Sequence, residues 1–210
     1  IDVTGATTTG FPSSGFNKYT VVAATDTTFA LQSGTTKLII EVQASGGYSG
    51  NNDASNYVGG SGGGGAYAKK LLSPMVDTDT LNITIGSVAA IAASGTTTSV
   101  ASASGTSFTT ITCDGGNGGV TAAGGYATGG VGGDIPTTGD FNVAGGNGAK
   151  GNGSTTRAQG GAWMARGSYM TTESAGLMSV GYGGGGGAGY QVGAAGAAGG
   201  PAVVIVWEYK

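Results

Sequence analysis

The sequence predicts an all-β protein: an antiparallel β-sandwich or barrel that carries a Gly-rich excursion and is closed by a C-terminal strand. Three observations lead there. Short runs of alternating apolar and polar residues recur through residues 15–113 and return at 202–210. No Gly-free window of about twelve residues shows a 3.6-residue apolar period. Gly accounts for 47 of the 210 residues, about three times ordinary usage, and it is grouped in blocks.

The clearest strand is KLIIEVQ at 37–43, which places Leu38, Ile40 and Val42 on one face and Ile39, Glu41 and Gln43 on the other. TLNITIG at 80–86 does the same with Leu81, Ile83 and Ile85. Both are expected to be half-buried antiparallel strands. Their companions are YTVVA at 19–23, TFALQ at 28–32, AYAKKLL at 66–72, TTSVA at 97–101 and SFTTITC at 107–113. The closing AVVIVWEY at 202–209 sets Val203, Ile205, Trp207 and Tyr209 against Ala202, Val204, Val206 and Glu208. Burial of Val203, Ile205 and Trp207 is expected to seal the fold. The organisation is then a lead segment 1–14, a strand-rich portion 15–113, a Gly-rich excursion 114–201 and the returning strand 202–210.

Each Gly placed in a regular element costs about 0.5–1 kcal/mol relative to Ala, so the blocks are either slack linker or an ordered structure that compensates. Their phase favours order. Steps of three from Gly181 meet Gly184, Gly187, Tyr190, Gly193, Gly196 and Gly199. Steps from Gly115 meet Gly118, Thr121, Gly124, Ala127, Gly130 and Gly133, and steps from Gly145 meet Gly148, Gly151 and then Ser154. Polyproline II geometry has three residues per turn and no internal hydrogen bonds, and it needs Gly wherever neighbouring helices crowd. With four Pro in the chain, collagen does not fit. Packed polyglycine-II rods remain, with ordinary small-residue turns as the alternative. On the rod reading, Gly184, Gly187 and Gly196 face crowded space, whereas substitutions at the off-phase Gly185 and Gly186 should be milder.

Charge and residue type narrow the function. A net charge of −3, with Lys69-Lys70 as the only basic pair, argues against a nucleic-acid surface. No apolar run is long enough for membrane insertion as a helix. The chain opens at Ile1 without a basic-plus-apolar leader, as expected of a processed or trimmed form. Cys113 is the sole cysteine, which excludes an internal disulfide and suits a half-buried position at a strand end.

Apparent catalytic motifs lack their partners. GGSGG at 59–63 has the G-x-S-x-G form around Ser61, but the chain contains no His to act as base. GNGAKG at 146–151 has the G-x-G-x-x-G form without a strand before it and a helix after it, and Lys150 is followed by Gly151 where a P-loop requires Ser or Thr. DTD at 77–79 lacks the remainder of a Ca²⁺ loop and reads as a turn. Asp134, Asp140 and Glu173 supply carboxylates with no spacing that pairs them. No enzyme activity, catalytic residue, metal or cofactor is expected.

Between the Gly blocks lie YSGNNDASNY at 48–57, DIPTTGDF at 134–141, AWMARGSYMTTESAGLM at 162–178 and YQ at 190–191. These are expected to be loop tips on a rigid scaffold, where binding residues concentrate. The candidates are Trp163, Met164, Arg166, Tyr169 and Met170 in the longest of them, with Tyr48, Tyr57 and Phe141 in the others. Aromatic side chains supply contact area at low entropic cost.

Taken in order, TTKLIIEVQASGG at 35–47, GGSGGGGAYAKKLL at 59–72, LNITIG at 81–86, the Gly blocks and the closing GYGGGGGAG…GAAGAAGGPAVVIVWEY at 181–209 resemble the glycine-rich fibre and adhesin domains of tailed bacteriophages. The resemblance covers about residues 15–209. It implies a virion protein at the end of a tail fibre, with variable loops that touch the host. Its partners would be a bacterial surface protein or glycan, other fibre proteins and copies of itself. The Thr-rich opening IDVTGATTTGFPSSGFNKYT matches no fibre-attachment domain, so a capsid-borne fibre or decoration role stays open. The rival reading is a purely structural shaft or coat protein. Flat polyglycine-II faces also raise an ice-binding reading, which the aromatic tips would interrupt.

Overall fold

A computed structural model describes residues 15–52, 58–87, 90–123, 127–151, 162, 164–166, 178–188 and 195–210. Alternation along the chain becomes strands β1 (Phe16–Val22), β2 (Asp26–Ala30), β3 (Lys37–Gln43), β4 (Tyr67–Leu72), β5 (Thr80–Thr84), β6 (Thr98–Ser104) and β7 (Ile111–Cys113). Three shorter pieces follow, β8 (Phe141–Val143), β9 (Ala165–Arg166) and β10 (Val180–Gly181), and then β11 (Val203–Tyr209). The described residues contain no helix.

Two antiparallel sheets face each other, a five-stranded one in the order β1-β11-β3-β4-β8 and a four-stranded one in the order β2-β5-β6-β7. Both keep free edges, so the architecture is a sandwich and not a closed barrel. Leu38, Ile40, Val42, Val204 and Val206 point inward from the first sheet and meet Leu81, Ile83, Val100 and Ile111 from the second, all fully buried. Cys113 belongs to this core, where burial pushes its thiol up to about 12.

β11 returns to the sheet as its sequence predicts, but its faces are divided differently. Val204 and Val206 enter the core, whereas Ile205 and Trp207 are only half-buried on the outer face. Register decides this: Val204 pairs with Val42 and Val206 with Ile40, both core residues of β3. Glu208 shares the inward face, fully buried, and its Oε2 accepts hydrogen bonds from Gln32 N at 2.6 Å and Thr35 Oγ1 at 2.9 Å. In SFTTITC only the last three residues pair as strand.

The DTD motif is a turn. Asp79 accepts from Val76 N at 2.9 Å through one oxygen and from Thr106 N at 3.0 Å through the other. Burial opposes its charge, but these hydrogen bonds outweigh it and hold the carboxyl below its ordinary value of 3.8. Because the folded-state value is depressed, the stabilisation is complete above that ordinary value and is lost as pH falls through the lower one. Asp79→Asn should therefore lower Tm at neutral pH and flatten its decline under acid, measured by thermal unfolding from pH 7 down to about pH 2.

From one end of the sandwich the Gly blocks extend as rods. Rod 1 (44–52) leaves β3, rod 2 (58–66) enters β4, rod 3 (93–97) enters β6, rod 4 (114–123) leaves β7, rod 6 (145–151) follows β8 and rod 8 (195–200) leads to β11. Rod 5 (127–133) and rod 7 (183–188) complete the set. The rods are therefore drawn from the strand-rich portion as well as from residues 114–201.

Rod 2 is central and buried along its whole length. Its amides donate in strict rotation: Gly60 to Val120 of rod 4, Ser61 to Ala149 of rod 6, Gly62 to Gly186 of rod 7, then Gly63 to Asn117, Gly64 to Gly146, Gly65 to Gly183 and Ala66 to Asp114, at 2.7–3.0 Å. Its carbonyls accept from rod 1, through Gly47 and Gly50, and from rod 5, through Gly130 and Gly133. A strand would send these bonds to two neighbours in one plane. Three neighbours in a repeat of three is the packing expected of polyglycine II.

Gly serves the bundle through its missing Cβ. Apart from Gly183, no described rod Gly has positive φ. A Cβ at Gly60, Gly62, Gly63 or Gly65 would overlap a backbone carbonyl of Thr128, Gly47, Val131 or Ala44 respectively. The three-residue phase does not separate crowded from tolerant positions as the sequence suggests. A Cβ at Gly185 would strike the carbonyl of Gly62, and one at Gly186 that of Ala197, while one at Gly184 would meet the side chain of Ser179. A rod with neighbours on every side has no uncrowded face.

Candidate functional site

The rods end away from the sandwich in a clamped rim. Gly59 N donates to Asn52 Oδ1 at 2.9 Å, Gly196 N to Asn51 Oδ1 at 2.8 Å, Ala122 N to the Asn51 carbonyl at 3.1 Å and Gly151 N to the Ala127 carbonyl at 2.8 Å. Asn51 and Asn52 thus tie rods 2, 4 and 8 to rod 1. The connections from this rim, 53–57, 124–126, 152–161 and 189–194, lie outside the described residues, and Tyr57 and the YQ pair lie with them.

Met164 and Arg166 stand elsewhere. Met164 N donates to Gln43 Oε1 at 3.3 Å, and Arg166 pairs with Val180 in the β9–β10 ladder. Gln43 is fully buried and its Nε2 donates to the Gly65 and Ala66 carbonyls at 3.0 Å each. The 162–178 segment is therefore rooted where sandwich meets rods, not at the rim. Trp163, Tyr169 and Met170 lie outside the described residues.

Two candidates are not on loop tips. Tyr48 is part of rod 1, its amide bonded to the Ala93 carbonyl at 2.9 Å and its carbonyl to Gly119 N at 2.8 Å. Phe141 opens β8, an edge strand that continues the five-stranded sheet beyond β4. Three residues between Gly139-Asp140 and Ala144-Gly145 are too few to display a two-residue period, so the sequence does not reveal this strand.

Phe141 leads to a surface that sequence reasoning missed, the outer face of the five-stranded sheet. Tyr19, Trp207, Ile39 and Leu71 form one row across β1, β11, β3 and β4, and Val21, Ile205, Glu41, Lys69 and Phe141 form the next. Tyr19 stacks on Trp207 with ring centres 5.2 Å apart, Phe16 packs edge-on against Tyr209 at 5.9 Å, and Tyr67 packs edge-on against Phe141 at 6.1 Å. Glu41 is held among them: its Oε1 accepts from Trp207 Nε1 at 3.1 Å, its Oε2 from Tyr67 Oη at 2.7 Å, and Lys69 Nζ lies 3.4 Å away. Burial, and then the bond to Glu41, raises the Tyr67 phenol well above its ordinary value, so it stays a donor. Phe16, Tyr19, Val21, Leu71 and Phe141 remain exposed. The signal was legible in the alternation of β11, whose second face is as apolar as its first.

Ser61 sits mid-way along rod 2, buried, and not on a strand-to-helix turn. Among the described residues no three His, Cys, Asp or Glu side chains gather as a metal site. Comparison with family models and with curated proteins returns no match.

Proposed function

We propose that the chain is a virion adhesin at the tip of a fibre, which binds a bacterial surface molecule through the aromatic segments that lie between its Gly blocks. The observation that carries this reading is the rod bundle, cross-linked by backbone hydrogen bonds in three directions and clamped at its rim by Asn51 and Asn52. Such a bundle is held by backbone hydrogen bonds and not by a side-chain core, which frees the composition of the segments between its rods for recognition. The longest of these segments brings Trp163, Met164, Arg166, Tyr169 and Met170 close together in sequence, and apolar surface of that kind on a segment with no partner invites aggregation.

The test is the double variant Trp163→Ala/Tyr169→Ala, in the virion that carries the chain. Its Tm is expected to stay within about 3 °C of the parent, as for a change that leaves the sandwich and the rods intact. Adsorption to host cells should fall at least about tenfold, or ~1.4 kcal/mol. A folded double variant with unchanged adsorption would favour a structural coat or shaft role.

A further inference from the structure

On the outer face of β3, Lys37 is exposed and Ile39 and Glu41 are half-buried, but Gln43 is fully buried. Part of its cover comes from the two ends of the 162–178 segment. Met164 N donates to Gln43 Oε1 at 3.3 Å at one end, and rod 7, which follows the other, passes so close at Gly183 that a Cβ there would fall on Gln43 Nε2. We propose that Gln43 is a positioning residue for receptor binding: its carboxamide fixes the direction in which β9 leaves the scaffold, and with it the presentation of the residues that follow. This deepens the adhesin reading and rests on it for the receptor.

The chemistry of the carboxamide supplies the direction. It carries two N–H donors at one end and an acceptor oxygen at the other. Nε2 donates to the Gly65 and Ala66 carbonyls at 3.0 Å each. These carbonyls belong to rod 2, where the Gly65 and Ala66 amides are bonded in turn to Gly183 at 2.7 Å and Asp114 at 2.9 Å, so neither is free to turn aside. Turning the carboxamide over would set Oε1 against two carbonyl oxygens and leave four buried groups unsatisfied. One orientation remains, and it presents Oε1 to Met164 N.

The second contact of this root has no such direction. A Cβ at Gly184 would meet the side chains of Ser179 and Ala165, and Ser179 Oγ is buried there with no hydrogen-bond partner among the described residues. Packing of that kind sets a distance and leaves the β9–β10 pair free to swivel. The pair itself spans two residues on each strand, and a ribbon that short does not hold its own orientation. The bond from Met164 N to Gln43 removes the swivel. A segment held in this way before it meets a receptor loses less freedom on binding, so Gln43 acts on affinity without touching the receptor.

The experiment is amide hydrogen exchange of the full chain, read by NMR, in the parent, Gln43→Met, Met164→Pro and Asp79→Asn. In the parent, the Met164 amide should exchange at least about a hundredfold more slowly than in an unstructured peptide. Gln43→Met keeps the length of the side chain and removes its donors and acceptor, and exchange at Ala165, Arg166, Val180 and Gly181 should rise at least about tenfold. Met164→Pro removes the same bond from outside the buried scaffold, so it should fold whatever Gln43→Met does, with the same rise at these four amides. Asp79→Asn lowers Tm from the turn before β5 and should leave the four at the parent's rate. An unprotected Met164 amide in the parent, no rise in Met164→Pro, or an equal rise in Asp79→Asn overturns the proposal. Host-cell adsorption separates it from the adhesin reading. With the root loosened, adsorption should fall at least about tenfold although every aromatic residue of the segment remains. If the root loosens and adsorption is unchanged, the adhesin reading alone falls; if the root stays fixed while Trp163→Ala/Tyr169→Ala loses adsorption, the positioning role alone falls.

Discussion

A chain ended at Gly200 is expected to yield no folded protein. β11 is an interior strand, hydrogen-bonded to β1 on one side along Phe16–Val22 and to β3 on the other along Lys37–Gln43. Its loss therefore removes two ladders and leaves β1 with no partner in the sheet. Val203, Val204 and Val206 are fully buried, and each contributes about 1.5–3 kcal/mol by burial. Their sum is comparable to the whole net stability of a typical domain, roughly 5–15 kcal/mol. Glu208 also leaves, and with it the acceptor of Gln32 N and Thr35 Oγ1. The check is soluble expression, far-UV circular dichroism and thermal unfolding of the truncated chain beside the parent. A cooperative transition within a few degrees of the parent would refute the assignment of β11 as the strand on which the sheet depends.

How much of this was legible follows from the period of each element. β3, β5 and β11 alternate over five residues or more, and a two-residue period over that length reveals both the strand and its faces. β11 reveals less than β3, because both of its faces are apolar and only the register with Val42 and Ile40 decides which one is core. β8 has three residues and offers no period at all. The rods announce their repeat through Gly spacing, but a repeat along one rod carries no information about which rods surround it. Rod 2 is encircled through contacts to Asp114, Ala149 and Gly186, which lie far away in sequence. The candidate site divides the same way. Composition marks the aromatic segments, whereas the outer sheet face arises only when Tyr19, Trp207, Glu41 and Phe141, from four different strands, are brought into adjacent rows.

That encirclement sets the second large effect. Gly62→Ala and Gly185→Ala are each expected to destabilise by at least about 3 kcal/mol, the upper end of overpacking costs, because the added Cβ falls on a backbone carbonyl and not on a side chain that can turn aside. For Gly62 the obstacle is the carbonyl of Gly47, and for Gly185 the carbonyl of Gly62. Neither can yield alone, since each is fixed in a rod by its neighbours' hydrogen bonds, such as Gly47 N to the Gly63 carbonyl at 2.8 Å and Gly62 N to the Gly186 carbonyl at 2.8 Å. In a chain of this size the cost corresponds to a fall in Tm of roughly 6–12 °C, or to loss of soluble protein. Gly184→Ala should be milder, because Ser179 Oγ, the atom in its way, can rotate. Gly15→Ala, with nothing within 4 Å of the new Cβ, should be neutral. The order of Tm values, Gly15→Ala above Gly184→Ala above Gly185→Ala and Gly62→Ala, distinguishes a bundle packed on all sides from Gly-rich chain that merely runs between strands. Four equal values would sink the packed-rod description, because slack chain accepts a methyl group anywhere along its length.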